Sequence, residues 1–204
     1  CASALAEAEI EYGDKVSPAV DVAYDAVDPK ALAAKLGVDT GEAQPAIPIW
    51  TTTPWTLPES QAVSLGAGLE YALIEGPSRD GKRVLLVIAS ALVDKVAQRY
   101  GLESMAVLGH VAGQALEGLE LHHPFYPRQV PVILGEHVSA EDGTGAVHTS
   151  PDHGVEDFVV AREYGIGLLN YIEPRGTYRA DTPAADPLEL GGMHIWKAND
   201  AIVD

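Results

Sequence analysis

The stretch that decides the fold is I-W-T-T-T-P-W-T-L-P at residues 49–58, where three consecutive threonines lie between two tryptophans. A short β-branched run that ends at a proline is typical of a strand that stops abruptly. Because side chains alternate along a strand, we expect Thr51 and Thr53 to share one face and Thr52 to lie on the other. Pro54 cannot donate to a ladder, so the hydroxyls are expected at a sheet edge or end, within reach of a ligand. A polar edge strand followed by a turn accounts for these residues equally well.

Short elements surround this stretch on both sides. Period-two alternation and short apolar runs predict strands at residues 6–12, 20–24, 71–74, 84–88, 105–110, 116–121, 130–134 and 146–149. Proline, serine and glycine start and stop signals predict helices at residues 29–36, 90–100 and about 150–164, and residues 41–48 are expected to form a linker. Many short strands with few helices favour an α+β or barrel-like domain over a doubly wound parallel sheet.

Composition is that of a globular protein with a core. Of the 204 residues, 47% are hydrophobic and 21% are charged, and the longest apolar run, V-L-L-V-I-A at residues 84–89, is far too short to cross a bilayer. A single cysteine, Cys1, excludes an internal disulfide and a cysteine-based zinc site, which fits a reducing, cytoplasmic setting. At 204 residues we expect one large domain or two small ones, and the start at cysteine suggests a piece of a longer protein.

The charge balance limits the partners. Thirty acidic residues against 13 basic ones give a net charge of −17. Free-standing nucleic-acid binders gain affinity by neutralising phosphates with lysine and arginine, so this class is disfavoured. Any contact with nucleic acid would have to be local, or be supplied by another part of a larger protein.

A second informative stretch is G-T-G-A-V-H-T-S-P-D-H-G-V-E-D-F at residues 143–158. Ser150, followed by proline, has the signature of a helix N-cap, which would place His153 and Asp157 four residues apart on one helical face. His148 would end the incoming strand beside the helix entrance. These polar groups converge at a strand-to-helix junction, which predicts a pocket wall.

Several chemistries can be weighed on these residues. The spacing of His148, His153 and Asp157 matches no metal-ligand motif, so we expect no metal. No G-x-S-x-G elbow supports a serine hydrolase, and the glycines at the start of this stretch lack the third glycine of a dinucleotide loop. Trp196 is expected in the core. A carboxylate in a pocket can hold an ammonium group, so Asp157 together with threonine hydroxyls predicts a site for an amine-bearing ligand.

Both stretches resemble the editing-domain motifs of the isoleucyl-tRNA synthetases. Residues 4–18, 123–125 and 197–200 are similar to the same family, so the resemblance covers essentially the whole chain. Leucyl and valyl relatives carry a different threonine-rich motif, followed by Arg-Pro. The His-Ile-Gly-His and Lys-Met-Ser-Lys-Ser signatures of the ATP-binding core are absent, as expected for an excised insertion domain.

The resemblance implies a single β-barrel-centred α+β domain over residues 1–204, with several peripheral helices. It also implies an enzyme that hydrolyses the ester of mischarged Val-tRNA(Ile) by water attack, in a pocket that excludes isoleucine and needs no cofactor. The implied partners are the 3′ end of tRNA(Ile) and the other synthetase domains, where ATP, isoleucine and the tRNA body bind; no membrane is implied. The alternative is a module that binds aminoacyl-adenosine but hydrolyses little when it is isolated.

The resemblance also assigns roles to residues. Asp157 matches the carboxylate that grips the substrate ammonium, and Thr51, Thr52 and Thr53 match threonines that contact the terminal adenosine and the aminoacyl group and help to position water. None of the three is expected to be a covalent nucleophile, because an aminoacyl ester is already activated toward a held water.

Three further positions belong to the implied site. Trp55 and His148 match residues that line the pocket near the amino-acid side chain, and His153 lies within the motif without a defined role. Two positions depart from the family: Asp152 replaces a usual glycine, and Ser60 replaces a usual asparagine. We expect Asp152 to add negative charge beside the pocket and Ser60 to shorten a polar side chain.

Overall fold

The computed structural model describes residues 13, 16–79, 81–183 and 187–203. The strand predicted at residues 6–12 lies outside them. The strands are β1 Val20–Asp25, β2 Gln44–Thr51, β3 Ala62–Leu65, β4 Glu70–Glu75, β5 Val84–Ala89, β6 Val107–Ala112, β7 Glu120–His122, β8 Gln129–Leu134 and β9 Ala146–Thr149. The helices are α1 Pro29–Leu36, α2 Val93–Arg99, α3 Gly113–Leu116, α4 Val155–Glu163 and α5 Ile195–Val203, with 3-10 helices at Pro54–Glu59 and Ser90–Leu92.

The described strands form two sheets. The five-stranded sheet has the order β1-β2-β5-β4-β6, and the four-stranded sheet has the order β7-β8-β3-β9. Only the β2–β5 and β3–β8 pairs are parallel. An isolated bridge between Ala26 and Leu121 connects the sheets, but the pairings in the described part of the chain do not close into one barrel. The predicted α+β class is confirmed.

Local signals explain the elements that were predicted correctly. Helix α1 begins where the Asp28 carboxylate accepts from the backbone N–H groups of Lys30 and Ala31, each at 3.0 Å. It ends at Gly37, whose φ of 67° is accessible to glycine at little cost. The antiparallel β4–β5 hairpin also lies where the sequence predicts it.

Other elements differ from the predictions for tertiary reasons. Residues 44–48 belong to β2, not to a linker, and Pro48 is tolerated because the ladder with β5 extends only to Ala46. Ser90 does not cap a helix, since its hydroxyl donates to Glu70. Part of the strand predicted at 116–121 is instead the end of helix α3.

The main core contains residues of both sheets, and a second, smaller cluster is separate from it. Large side chains such as Tyr24, Leu57 and Tyr71 are fully buried in the main core. The smaller cluster contains Tyr178 and Leu190 and packs against Trp55. Both cores therefore meet the 3-10 helix that follows the threonines, which fixes this segment. None of the helices in the described part of the chain has the length and apolar character needed to span a membrane.

Candidate functional site

The three threonines lie at the end of β2, where the chain turns into the 3-10 helix Pro54–Glu59. The hydroxyl of Thr51 accepts from the backbone N–H of Thr53 at 3.1 Å, and the two hydroxyl oxygens are 3.3 Å apart. Thr51 is buried, whereas Thr52 and Thr53 are exposed. The strand ends at Thr51, so the turn, not strand alternation, brings Thr53 to the same side.

Behind this turn lies a buried chain of hydrogen bonds. The Thr56 hydroxyl donates to the carbonyl of Thr53 at 2.9 Å, and Nε2 of His148 lies 3.2 Å from the same hydroxyl oxygen. Nδ1 of the same ring lies 3.4 Å from the Ser150 hydroxyl oxygen, so His148 contacts both hydroxyls. The Ser150 hydroxyl then donates to the Thr56 carbonyl at 3.0 Å. Thr56 therefore links the threonine turn to β9.

His148 is neutral in this environment. Only 7% of its surface is exposed, and this burial, together with the nearby charge of His153, lowers its pKa to about 4. A neutral imidazole held between two fixed hydroxyls can shape a pocket wall. It cannot serve as a proton donor at neutral pH without a large energetic cost.

Asp157 is bound to the same network from the other side. Its Oδ2 atom accepts from the backbone N–H of Ser150 at 2.9 Å, and its Oδ1 atom accepts no hydrogen bond from the described residues. Burial raises the pKa of the carboxyl group, although the Ser150 hydrogen bond opposes this shift. A desolvated carboxylate of this kind gains most from a cationic partner.

The predicted helix start at Ser150 is wrong. Helix α4 begins at Val155 with Gly154 at its N-cap, because the Ser150 hydroxyl is already committed to Thr56 and residues 150–153 close a turn. His153 therefore precedes the helix, and it does not share a helical face with Asp157. The carboxylate reaches back to Ser150 from the first helical turn.

Trp55 and His153 form a second unit beside this network. Their rings meet edge to face with centroids 4.8 Å apart, and Nε2 of His153 lies 3.0 Å from Oε1 of Glu59. The backbone of Trp55 is held on both sides: its N–H donates to Asn199 at 3.0 Å, and its carbonyl accepts from the Tyr178 hydroxyl. The position of Trp55 is therefore set by helix α5 and the smaller core.

An open cleft of about 510 Å³ lies in front of the threonines. It is lined by Val16, Ser17, Pro18, Thr52, Thr53, Trp55, Trp196, Asn199 and Asp200. Trp196 is 54% exposed, so the expectation that it belongs to the core is wrong. The exposed Trp196 indole lies in a cleft that also contains the Thr52 and Thr53 hydroxyls and the Asp200 carboxylate. Such a cleft is suited to a flat ligand with hydroxyl or amino groups.

The two departures from the family pattern have structural roles. The Asp152 carboxylate accepts from the backbone N–H groups of Leu169 and Asn170, at 2.9 and 3.1 Å. It therefore anchors the segment after α4. Ser60 is fully buried and accepts from the Tyr24 hydroxyl at 2.9 Å.

The described residues include no group of three or more His, Cys, Asp or Glu side chains that could hold a metal ion.

Sequence reasoning missed the residues that connect the site. Thr56 and Ser150 were not predicted to bond the two stretches, and Glu59 and Asn199 were not singled out. Their partners are 92 to 144 residues away in the chain for the Thr56–His148, Ser150–Thr56 and Asn199–Trp55 bonds, so spacing carries no signal of them. The sequence-predicted Thr51, Thr53, His148 and Asp157 are brought into one network, while Thr52, Trp55 and His153 flank it.

Solved structures share this fold at low sequence identity. One is described as "The crystal structure of GlLeuRS-CP1"; it is 14% identical, has a TM-score of 0.70, and the match covers 92% of this chain and 94% of that one. The editing domain of the P. knowlesi cytosolic leucyl-tRNA synthetase has 9% identity and a TM-score of 0.67, with 95% of each chain covered.

The family is defined by a sequence model. Residues 32–193 match the model described as leucyl-tRNA synthetase, editing domain, and the chain belongs to this family of synthetase editing domains. Among individual proteins, it is 56% identical to an isoleucine--tRNA ligase of Xanthomonas campestris pv. campestris (strain 8004) and 54% identical to one of Stenotrophomonas maltophilia (strain K279a). All of the chain is covered in both matches, and it spans 22% of the length of each relative.

Proposed function

We propose that this domain hydrolyses the ester bond of Val-tRNA(Ile) after transfer, as the editing part of an isoleucyl-tRNA synthetase. The observation that carries the proposal is the bonded network from the threonine turn to Asp157, within a chain 56% identical to an isoleucine--tRNA ligase. The proposed partners are the 3′ end of tRNA(Ile) and the remaining synthetase domains, in a cytoplasmic setting. No cofactor or metal is proposed.

The need for such a site follows from the size of the discrimination. A missing methylene changes binding by only about 1–3 kcal/mol, and isoleucine against valine on this class of enzyme is the standard example. A second pocket that admits valine and excludes the larger isoleucine side chain selects in the opposite direction, by steric exclusion of the correct amino acid. Trp55 and His148, both fixed by hydrogen bonds, are proposed to form the walls that set this size limit.

The proposed chemistry is a direct water attack. Asp157 holds the α-ammonium group, and the exposed Thr52 and Thr53 hydroxyls hold the substrate and the water. The water oxygen bonds to the ester carbonyl carbon, the bond to the ribose oxygen breaks, and a proton passes from the water to that oxygen. Orientation supplies the rate, since the ester is already activated. Thr51 is bound to Thr53 and positions this turn; no threonine becomes acylated.

The charge of the domain supports a division of labour. With a net charge of −17, the domain offers little to the phosphates of a tRNA body, so other synthetase domains are proposed to hold that body. This charge also favours the second candidate function, in which the isolated domain binds aminoacyl-adenosine but releases little amino acid.

One pair of assays separates the two functions. We expect the 204-residue chain, and the parent synthetase, to release valine from Val-tRNA(Ile) while leaving Ile-tRNA(Ile) intact, with the same rate in chelator. A non-hydrolysable valyl-adenosine analogue is titrated in parallel. Tight binding of the analogue without valine release from the parent synthetase would contradict the hydrolase and support the binding module. Loss of activity in chelator would contradict the metal-free reaction.

Trp196 gives a prediction about the nucleoside end of the substrate. We propose that its exposed indole stacks on the terminal adenine, since stacking of a base on an aromatic side chain contributes about 1–3 kcal/mol. Trp196→Ala is expected to weaken binding of the valyl-adenosine analogue about tenfold, and Trp196→Phe to retain most of the affinity. A valyl-ribose analogue without the base is the control. Equal weakening for both analogues would refute the stacking.

A further inference from the structure

Glu59 is a buried carboxylate that the proposed reaction does not use. It ends the 3-10 helix Pro54–Glu59, it is 0% exposed, and neither of its carboxylate oxygens accepts a hydrogen bond from the described residues. Placing an ionised carboxylate in the interior costs free energy unless a partner compensates for the lost water. Such a residue is a poor choice for stability alone.

The group opposite Glu59 is the imidazole of His153. Nε2 of His153 lies 3.0 Å from Oε1 of Glu59, at ion-pair distance but without the alignment of a hydrogen bond. Trp55 packs against the same imidazole, and the two rings meet edge to face. Glu59, His153 and Trp55 therefore form one unit. The backbone N–H of His153 donates to the Ser150 carbonyl at 2.9 Å, which attaches the unit to the network that holds Asp157.

Of the other polar groups in this region, the Tyr178 hydroxyl is committed elsewhere and the Trp55 indole N–H is not basic. The Tyr178 hydroxyl lies close enough for the Glu59 charge to contribute to its raised pKa, after the larger effect of burial, but it donates to the Trp55 carbonyl. The Trp55 indole N–H is buried and has no partner among the described residues. His153 is therefore the basic side chain that can compensate the Glu59 carboxylate.

We propose that Glu59 is a positioning residue for the deacylation, which holds the His153 imidazole with Nε2 toward the carboxylate and its ring against Trp55. This inference rests on the proposed function. It explains why a costly buried carboxylate stands immediately before the departure at Ser60: it fixes the ring that borders the aminoacyl pocket. The nearby charge of His153 contributes to the lowered pKa of His148 after the larger effect of burial, and it slightly opposes the rise that burial causes in the pKa of Asp157, so its placement affects both groups.

The test compares an apolar and a polar replacement in the parent synthetase. Glu59→Met removes the acceptor while filling the space, and Glu59→Gln keeps an acceptor oxygen. We expect Glu59→Met to lower kcat for valine release about tenfold with KM changed less than twofold and Tm equal or higher, because replacing a buried charge by an apolar group often stabilises. Glu59→Gln is expected to restore at least part of the lost kcat. Glu103→Gln, an exposed glutamate, is the control.

Two results would overturn the inference. An unchanged kcat in Glu59→Met removes the positioning role, and a fall in kcat that is matched by a fall in Tm in both variants assigns Glu59 to stability alone. Nitrogen-15 spectra of the His153 ring provide a readout that does not require activity. At a pH where the ring is neutral, we expect the tautomer with the proton on Nε2 to predominate in the unsubstituted protein and in Glu59→Gln, and the two tautomers to mix in Glu59→Met. If the unsubstituted synthetase releases no valine, the proposed function fails, and the ring spectra still decide the placement of His153.

Discussion

Asp157→Ala is expected to lower valine release from Val-tRNA(Ile) by about a hundredfold or more. Removing one member of a buried charge pair costs about 3–5 kcal/mol, because the remaining charge loses both its partner and its water. In the native protein the Asp157 carboxylate accepts from the Ser150 N–H. Without this carboxylate the substrate ammonium would face the Ser150 N–H directly, and the two positive groups repel each other. The measurement is single-turnover release of labelled valine by the parent synthetase.

A neighbouring carboxylate on the same helix controls for charge alone. Glu156 lies one residue earlier on α4 and is exposed, so Glu156→Ala is expected to leave the rate within about twofold, as surface substitutions usually do. Asp157→Asn keeps the acceptor oxygen for Ser150 but removes the charge. If Asp157→Asn retains full activity, the ammonium grip is refuted and the residue acts through Ser150.

The raised pKa of Asp157 fixes the direction of its pH dependence. The ammonium grip requires the ionised form, so valine release should fall with decreasing pH at values above those at which an ordinary aspartate titrates. The stability effect has the opposite sign. A native pKa above the unfolded value means that the native state takes up the proton first, so this group adds stability as the pH falls through its native pKa. Activity and unfolding free energy should therefore move in opposite directions there.

The sequence was informative where the signal is local. Helix α1 has proline at its start and Gly37 at its end, and the structure places both as predicted. The β4–β5 hairpin follows from two apolar runs on either side of a turn. Asp157 and the threonines could be singled out because their residue types stand out within short motifs, and these motifs do meet in the fold.

The rest could not be read from spacing because long-range bonds decide it. Ser150 has the local signature of a helix cap, but a carbonyl 94 residues away accepts its hydroxyl, so the helix starts five residues later. Trp196 has the large apolar side chain of a core residue. The smaller core is already filled by residues such as Tyr178 and Leu190, so the indole lies at the cleft. The outcome depends on tertiary competition for each group.

Gly145→Ala is expected to reduce the free energy of unfolding by about 2–5 kcal/mol. Its φ of 77° costs a residue with a Cβ atom about 1–2 kcal/mol. The added Cβ would also lie 2.3 Å from the Cβ of Ala89, and overpacking of this kind costs about 1–3 kcal/mol more. The neighbours cannot separate freely, because the backbone N–H of Ala89 donates to the carbonyl of Thr144 at 2.9 Å. Urea denaturation of the 204-residue chain measures the loss.

Gly118 separates the contribution of the backbone from that of the contact. Its φ is also 77°, but an added Cβ would have no heavy atom within 4 Å, so Gly118→Ala should cost only about 1–2 kcal/mol. Equal losses in the two variants would refute the contact with Ala89. A larger loss at Gly145 would show that a glycine is needed at this position to let the chain entering β9 pack against the end of β5. Since β9 carries His148 into its bond with Thr56, the same substitution should also slow valine release, through the fold and not through any contact with the substrate.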